Sequence, residues 1–347
     1  MSIEDNVQKG ISRNNHYVPQ FYLQNWGEDN ELWTYELLVA HENVPLWKST
    51  SIERTASIEN LYVRVDKGKE LDDFEKMFNS KYENLAANSL YKASNDMRLT
   101  VDDWKKMIDY TAAQIVRTPA FYVRLQPVLL NAFNKGMEDV LEEIKHIDKD
   151  MLLKHKENAI NQDRISLPIN FERTGKMADE NHEYIQISGT VGKSTWFWAI
   201  ENSLLNTLQK LHQYRWSILI CDESIEWPTS DNPVVCINHF SKDMYDFFGV
   251  IGRVGNEIIF PVSPQRALYL QIGKKHPPRI KLNTNESIKI KQVIVENAFR
   301  YVYSHVKDAK ISEIRPRIVD LDTFLSDKKM VSEWYELYKT EEGHYYD

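Results

Sequence analysis

The sequence predicts an α+β fold in which a helical N-terminal half packs on a mainly antiparallel sheet. Apolar residues recur at helical spacing between about residues 70 and 146. Residues 214–306 instead alternate short apolar runs with turn residues, as antiparallel strands do. Helices that come first and strands that follow are typical of α+β proteins, because a doubly wound sheet alternates the two along the chain.

The length of 347 residues and the hydrophobic content of 42% are sufficient for one large core. We predict a single domain over residues 1–347. Its parts are a helix-rich region (about 1–146), a polar insertion (about 146–190), a strand-rich region (about 195–306) and a C-terminal helix (about 320–340).

The first helix is predicted within the segment "HYVPQFYLQNW", residues 16–26. Pro19 suits the first helical position because its missing N–H costs nothing there, and Gly27 suits the C-terminal stop. The apolar residues between them fall at helical spacing. Strands are predicted next, at residues 31–38 and 59–65.

Three long helices follow. An apolar stripe predicts an amphipathic helix over residues 70–94, and Glu83 lies off this stripe, so it is expected to be solvated. Thr100 is the predicted N-cap of the second helix, which ends at "RTP" because Pro119 disfavours helical geometry in the residue before it. The third helix is predicted at about 119–146.

The second half begins with the polar stretch 146–190, which is predicted to be an exposed, partly helical insertion. A helix is predicted over 195–213 and another at about 284–298, where Asn283 and Glu286 have capping-box spacing. The predicted strands are "YRWSILICD", "SIEWP", "PVVCIN", "NEIIFPV", "RALYLQI" and "RYVYS".

Charge and cysteine content limit the partners and the compartment. A net charge of −8 disfavours a general nucleic-acid coat, so binding through the basic stretch 273–281 is the weakest hypothesis. No apolar run approaches the roughly 20 residues that span a bilayer, so no membrane association is expected. Only Cys221 and Cys236 are present, which favours a reducing compartment, and the cytoplasm is expected.

The segment "GTVGKST" resembles a phosphate-binding loop but is interpreted as an ordinary loop and helix start. The Walker pattern needs four residues between its glycines, and only two separate Gly189 from Gly192. We therefore expect Lys193 to be no phosphate ligand. The histidines and cysteines also lack the local spacing of a zinc site.

Three polar positions have both a structural and a functional interpretation. In "TSDNPV", residues 229–234, Asp231 is either a turn residue or a base or metal ligand. Asn297 falls on the buried face of its helix, where it either joins the helix to a strand or lines a site. Arg117 is either a carbonyl cap or an anion ligand.

Several motifs together resemble a bacterial family of unknown function, domain-of-unknown-function family 4238. They are "HYVPQFYL" (16–23), "RTP" (117–119), "TSDNPV" (229–234), "FPVSP" (260–264) and "ENAFRYVYS" (296–304). The resemblance covers about residues 13–306, with mild departures at Trp26 and Val262. It supports one full-length domain and implies no established activity.

The motif residues lie at element ends or turns, where sites are usually assembled. Our leading hypothesis is a hydrolase acting on a phosphoester or nucleotide, with His16 and Asp231 as catalytic acid and base and a divalent metal as candidate cofactor. The predicted substrate-binding residues are Tyr17, Gln20, Arg117, Ser230, Asn232, Ser263 and Asn297. The alternative is a non-catalytic ligand- or partner-binding protein of a phage-defence or mobile-element system.

Overall fold

A computed structural model describes residues 10–66, 68–144, 169–174, 184–189, 192–241, 244–247 and 252–339. The α+β prediction is confirmed: long helices occupy much of the first half, and strands dominate from about residue 217 to 304. Strand pairing is antiparallel apart from two short parallel pairs.

The described helices follow the predicted order. They are α1 (Gln20–Leu23), α2 (Asp73–Phe78), α3 (Asn84–Ser94), α4 (Val101–Val116), α5 (Pro119–Ile144), α6 (Lys193–Asn202), α7 (Thr284–Asn297), α8 (Ala309–Ile314) and α9 (Leu321–Leu337). Short 3₁₀ or π turns extend some of them, at Gln24–Trp26, Asn79–Glu83, Ser203–Thr207 and Leu208–Gln213, and a separate 3₁₀ turn lies at Ile52–Arg54 between two strands.

The described strands belong to several sheets. They are β1 (Asn14–His16), β2 (Glu31–Glu36), β3 (Leu38–Val39), β4 (Lys48–Ser51), β5 (Ser57–Glu59), β6 (Arg64–Asp66), β7 (Lys69–Leu71), β8 (Ile169–Thr174), β9 (Tyr184–Gly189), β10 (Ser217–Ile220), β11 (Thr229–Ser230), β12 (Val235–His239), β13 (Tyr245–Asp246), β14 (Glu257–Ser263), β15 (Arg266–Gln271), β16 (Arg279–Lys281), β17 (Tyr301–Ser304) and β18 (Ile318–Val319).

The largest sheet has the strand order β13-β12-β14-β15-β10-β16. Alternation along β14 sends Ile258 and Phe260 to one face and Ile259 to the other. The helical half packs on the first face, with Tyr110 of α4 against Phe260. Helix α7 covers the second face through Ile294. The sheet is therefore buried on both sides.

A second sheet has the order β11-β17-β2-β4, and α7 also packs against it. Val295, the residue after Ile294, lies in a separate apolar cluster with Tyr35 of β2 and Val302 of β17. Neighbouring residues of one helix thus face two different sheets. Helix α7 joins the two sheets, which explains why both of its sides are partly apolar.

The start and end signals of the sequence are largely confirmed. Pro19, predicted as the first helical residue, is the N-cap, so α1 begins one position later at Gln20, and the helix tightens to a 3₁₀ turn that Gly27 caps. Thr100 and Asn283 each form the capping box expected at the start of α4 and α7. Within the described residues, no helix is both long and apolar enough to cross a membrane.

Three predicted elements were wrong in detail. The strand at 59–65 is broken because Asn60 adopts a positive φ of 56°, which ends β5 and turns the chain toward β6. "SIEWP" is irregular. The helix predicted over 70–94 is divided by a π turn at Asn79–Glu83. Of the predicted 146–190 insertion, β8 and β9 form a hairpin, and the rest lies outside the described residues.

The π turn reverses the expectation for Glu83. A π turn inserts an extra residue, so side chains that follow it rotate relative to the apolar stripe. The Glu83 side chain is 18% exposed and forms an ion pair with Arg117. The prediction that Glu83 is solvated was wrong for this reason.

Phe260 tests the packing of the helical half on the sheet. Its ring stacks on Tyr22 at 5.2 Å between centroids, and the residue is fully buried. Phe260→Ala should lower the free energy of unfolding by about 3–5 kcal/mol, because it leaves a cavity between the helices and the sheet. The exposed Phe240→Ala is the control and should change it by about 0.5 kcal/mol or less in a denaturant titration. Equal effects would contradict this packing.

Candidate functional site

The N-terminal motif is fastened to two distant motifs by hydrogen bonds. The hydroxyl of Tyr22 lies 2.7 Å from the Thr229 hydroxyl and donates to the Pro261 carbonyl at 2.7 Å. The indole of Trp26 donates to the Trp227 carbonyl at 2.8 Å. Segments far apart in sequence are therefore assembled in one place, and these aromatic side chains form part of the interior.

Arg117, the C-cap of α4, lies entirely in the interior, with none of its surface exposed. Its guanidinium donates to a Glu83 carboxylate oxygen at 2.6 Å and to the His16 carbonyl at 2.7 Å. The same group lies 4.4 Å from the Phe78 ring centroid. Burial alone would lower the pKa of Arg117, but the Glu83 charge raises it above its ordinary value. Arg117 is therefore a permanently charged internal counter-ion.

Glu75 is a second carboxylate beside Arg117. Burial raises its pKa to about 7, Arg117 opposes this rise, and the like charge of Glu83 adds to it. One of its oxygens is buried without a hydrogen-bond partner among the described residues. Two carboxylates share one guanidinium here, so Glu75 is only partly ionised near neutral pH.

His16 borders the same group. Burial lowers the pKa of His16, and the positive charge of Arg117 lowers it further. Its Nε2 lies 2.9 Å from the Glu53 carbonyl, an arrangement in which Nε2–H donates and the other ring nitrogen carries the lone pair. The neutral imidazole can thus accept a proton at Nδ1.

We call Arg117, Glu75, Glu83 and His16 the Arg117 cluster. Arg117 is the fully buried member of the cluster, whereas Glu75, Glu83 and His16 are half-buried. Gln20 is exposed, and its amide nitrogen lies 3.3 Å from Nε2 of His16. The cluster therefore reaches the surface at the start of the N-terminal motif.

Asp231 lies in a different group of contacts. Its two carboxylate oxygens accept hydrogen bonds from the backbone amides of Phe299 and Arg300 at 2.8 and 2.7 Å. Its own amide donates to the Tyr301 carbonyl, and the residue is 2% exposed. Burial raises the pKa of Asp231 to about 6, although the two amides oppose the shift. The carboxylate thus fixes the 229–232 turn to the segment that follows α7.

Asn232 and Asn297 complete this connection. The Asn297 amide donates to the carbonyls of Asn232 and Val234 at 2.8 and 3.1 Å, and the Asn232 amide donates to the Asn297 carbonyl at 3.1 Å. Thr118 of the "RTP" motif donates to the Asn232 side chain at 3.4 Å. The geometry thus matches the structural interpretation of Asn297, which joins its helix to the chain before β12.

The remaining predicted residues also bond within the chain. The hydroxyls of Ser230 and Ser263 each accept from the backbone amide two residues later, at 3.2 and 3.4 Å. The Tyr17 hydroxyl is hydrogen-bonded to Tyr303, and the Asp231 charge acts on it. Apart from Ser263, the sequence-predicted residues therefore form two groups, one around Arg117 and one around Asp231, with Tyr17 bordering the second.

Lys193 is turned into the interior. Its ammonium donates to the Asn60 carbonyl at 2.6 Å and lies 5.1 and 5.2 Å from the ring centroids of Tyr335 and Tyr338. These contacts hold the C-terminal helix region against the domain. The ammonium is thus committed to interior contacts, in line with the interpretation of "GTVGKST" as an ordinary loop and helix start.

A protein-family model described as "Protein of unknown function (DUF4238)" matches residues 14–308. The chain belongs to this family. No curated protein and no solved structure matches the chain. The DUF4238 region contains both groups of contacts, whereas α9 and its contacts with Lys193 involve residues beyond it.

Sequence reasoning missed Glu75 and Glu83 as members of the site in this DUF4238 protein. Neither stands in a recognisable motif, and the π turn that directs Glu83 inward has no clear sequence signal. Among the described residues, no three His, Cys, Asp or Glu side chains form a group that could hold a metal ion. Around the fixed positive charge of Arg117, burial displaces the pKa of Glu75 upward and that of His16 downward.

Asp231→Asn tests the role of the carboxylate in the fold. Asparagine has one acceptor oxygen, so its NH₂ group would face a backbone N–H and leave that buried donor without a partner. The free energy of unfolding should fall by about 1–3 kcal/mol. The exposed Asp139→Asn is the matched control and should be neutral in the same thermal or denaturant measurement. A fully stable Asp231→Asn protein would contradict the two-amide contact.

The raised pKa of Glu75 predicts a pH dependence of stability. The folded protein holds this proton with a pKa of about 7, against an ordinary value of 4.5, so protonation favours the folded state. The free energy of unfolding should fall as pH rises from about 4.5 to about 7. Glu75→Gln should remove this loss. The free energy of unfolding of the variant minus that of the wild type should therefore be about 1–3 kcal/mol more positive at pH 8 than at pH 4.5. The exposed Glu28→Gln should show no such difference.

Proposed function

We propose that this protein is a hydrolase that acts on a phosphoester or nucleotide and uses the Arg117 cluster for proton transfer. The observation that supports the proposal is the opposite displacement of the pKa values of two groups on which the Arg117 charge acts, upward for Glu75 and downward for His16. Such pairs concentrate at functional sites, because each group must hold or release a proton near neutral pH.

The proposed reaction assigns one proton to each group. Neutral His16 takes a proton from water through Nδ1 as the water oxygen forms a bond to phosphorus. Protonated Glu75 gives its proton to the leaving oxygen as the phosphorus–oxygen bond breaks. The two residues then exchange protons with solvent, which restores the starting state. Arg117 acts as a positioning residue, since its guanidinium already binds Glu83 and the His16 carbonyl.

Asp231 has no catalytic step in this proposal, because both of its oxygens bind backbone amides. Gln20 is retained as a substrate-contacting residue, since it is exposed next to His16. In the proposal, the other predicted substrate-binding residues form contacts within the fold and do not contact the substrate. The free cysteines Cys221 and Cys236 support our proposal of a cytoplasmic location.

A second candidate is a non-catalytic ligand- or partner-binding protein, such as a component of a bacterial phage-defence or mobile-element system. The observation that favours it is that the side chains of Asp231, Asn232 and Asn297 form their hydrogen bonds with backbone groups of the protein itself. Nucleic acid is a weaker partner, because Arg279 of the basic stretch donates to the Met97 carbonyl and lies 4.0 Å from Asp96.

Hydrolysis assays separate the two candidates. The protein is incubated with aryl phosphate mono- and diesters and with nucleotides, and product release is measured. Glu75→Gln should reduce kcat by about 10²-fold or more without loss of folding, because glutamine cannot give up a proton. Glu28→Gln should retain full activity. A wild-type kcat in Glu75→Gln would refute the proposed mechanism, and no turnover of any substrate would favour the binding protein.

A further inference from the structure

A solvent-filled hollow of about 420 Å³ lies where three helical segments meet, away from the predicted motifs. Lys81 and Tyr82 come from the π turn, Lys105 and Asp109 from α4, and Gln209 and His212 from the 3₁₀ turn at Leu208–Gln213. We call it the helical hollow. Its volume is within the range of sites for small molecules.

The helical hollow has an excess of positive charge. Lys81 and Lys105 are both exposed, and neither forms an ion pair with a carboxylate among the described residues. Asp109 is the one carboxylate in the lining. This local balance contrasts with the net charge of −8 for the whole chain, so the hollow attracts anions on a protein that otherwise repels them.

His212 and Asp109 are joined within this lining. Nε2 of His212 lies 2.7 Å from an Asp109 carboxylate oxygen. The Asp109 carboxylate is therefore engaged by the imidazole, which fixes the orientation of the ring and leaves the two lysines as the charged groups that face the solvent. The Tyr82 hydroxyl offers a further donor from the same lining.

We propose that the helical hollow binds the phosphate group of a small molecule. The two ammonium groups supply charge-assisted hydrogen bonds, the interactions that phosphate oxygens accept most strongly. The inference goes beyond the proposed function, because no lining residue of the helical hollow belongs to the Arg117 cluster. The π turn carries both Lys81 and Glu83, so the hollow and the Arg117 cluster share an element.

Titration calorimetry with inorganic phosphate and with a nucleoside monophosphate tests the proposal on the full chain. The double variant Lys81→Ala/Lys105→Ala should weaken binding of both ligands about tenfold or more. Lys106→Ala is the matched control: Lys106 lies on the same helix but pairs with Asp102 at 2.6 Å, so binding should be unchanged.

Glu75→Gln separates this inference from the proposed function. If the variant loses turnover but binds phosphate as wild type does, both proposals hold. If phosphate does not bind, or binds equally to the Lys81→Ala/Lys105→Ala protein, the helical hollow is no phosphate site, whatever the activity of Glu75→Gln. If phosphate binding depends on the lysines while no substrate is turned over, the site stands and the hydrolase proposal fails.

Discussion

A buried backbone group needs a hydrogen-bond partner, and this requirement explains why so many polar motif residues lie inside the protein. Strand β14 changes register between Pro261 and Ser263, and two backbone carbonyls at this bulge bind side chains of the N-terminal motif. The Tyr22 hydroxyl donates to the Pro261 carbonyl, and the Asn25 amide donates to the Val262 carbonyl at 2.9 Å. The bulge therefore serves as the attachment point for the N-terminal motif, and the helical half depends on it for its position on the sheet.

The second constraint is the buried charge of Arg117. A cation without surface exposure is tolerated only with a close anion and satisfied donors, and Glu83 and the His16 carbonyl meet that need. Lysine is a poor replacement, because the planar guanidinium donates from two separate nitrogens in a fixed geometry while it lies over the Phe78 ring, and a compact ammonium lacks that fork. Glu75 is a further carboxylate on which the Arg117 charge acts. Burial raises its pKa to about 7, and the like charge of Glu83 adds to the rise.

The sequence predicts well those features that depend on neighbouring residues. The start of α4 and α7 follows from capping residues three positions apart, and the apolar stripes fix their buried faces. The sequence does not predict features that depend on contacts between residues far apart in the chain. The amides that bind Asp231 lie 68 and 69 positions later. The local sequence around Asp231 therefore cannot show whether its carboxylate binds the backbone or faces a ligand. The partner of Arg117, Glu83, lies 34 positions earlier on a π turn. The apolar spacing of this segment predicts a continuous α-helix and gives no sign of the π turn.

Helix α4 shows how one element can serve both stability and a ligand. Tyr110, Gln114 and Arg117 are spaced four and three residues apart, so they form a single stripe, and all three are buried. Lys105 and Asp109, four residues apart, form another stripe that lines the helical hollow. Because the stripes point in different directions, the lysines can be changed without opening the interior. The residues of the inner stripe cannot be changed in this way, because Arg117 binds both Glu83 and the His16 carbonyl.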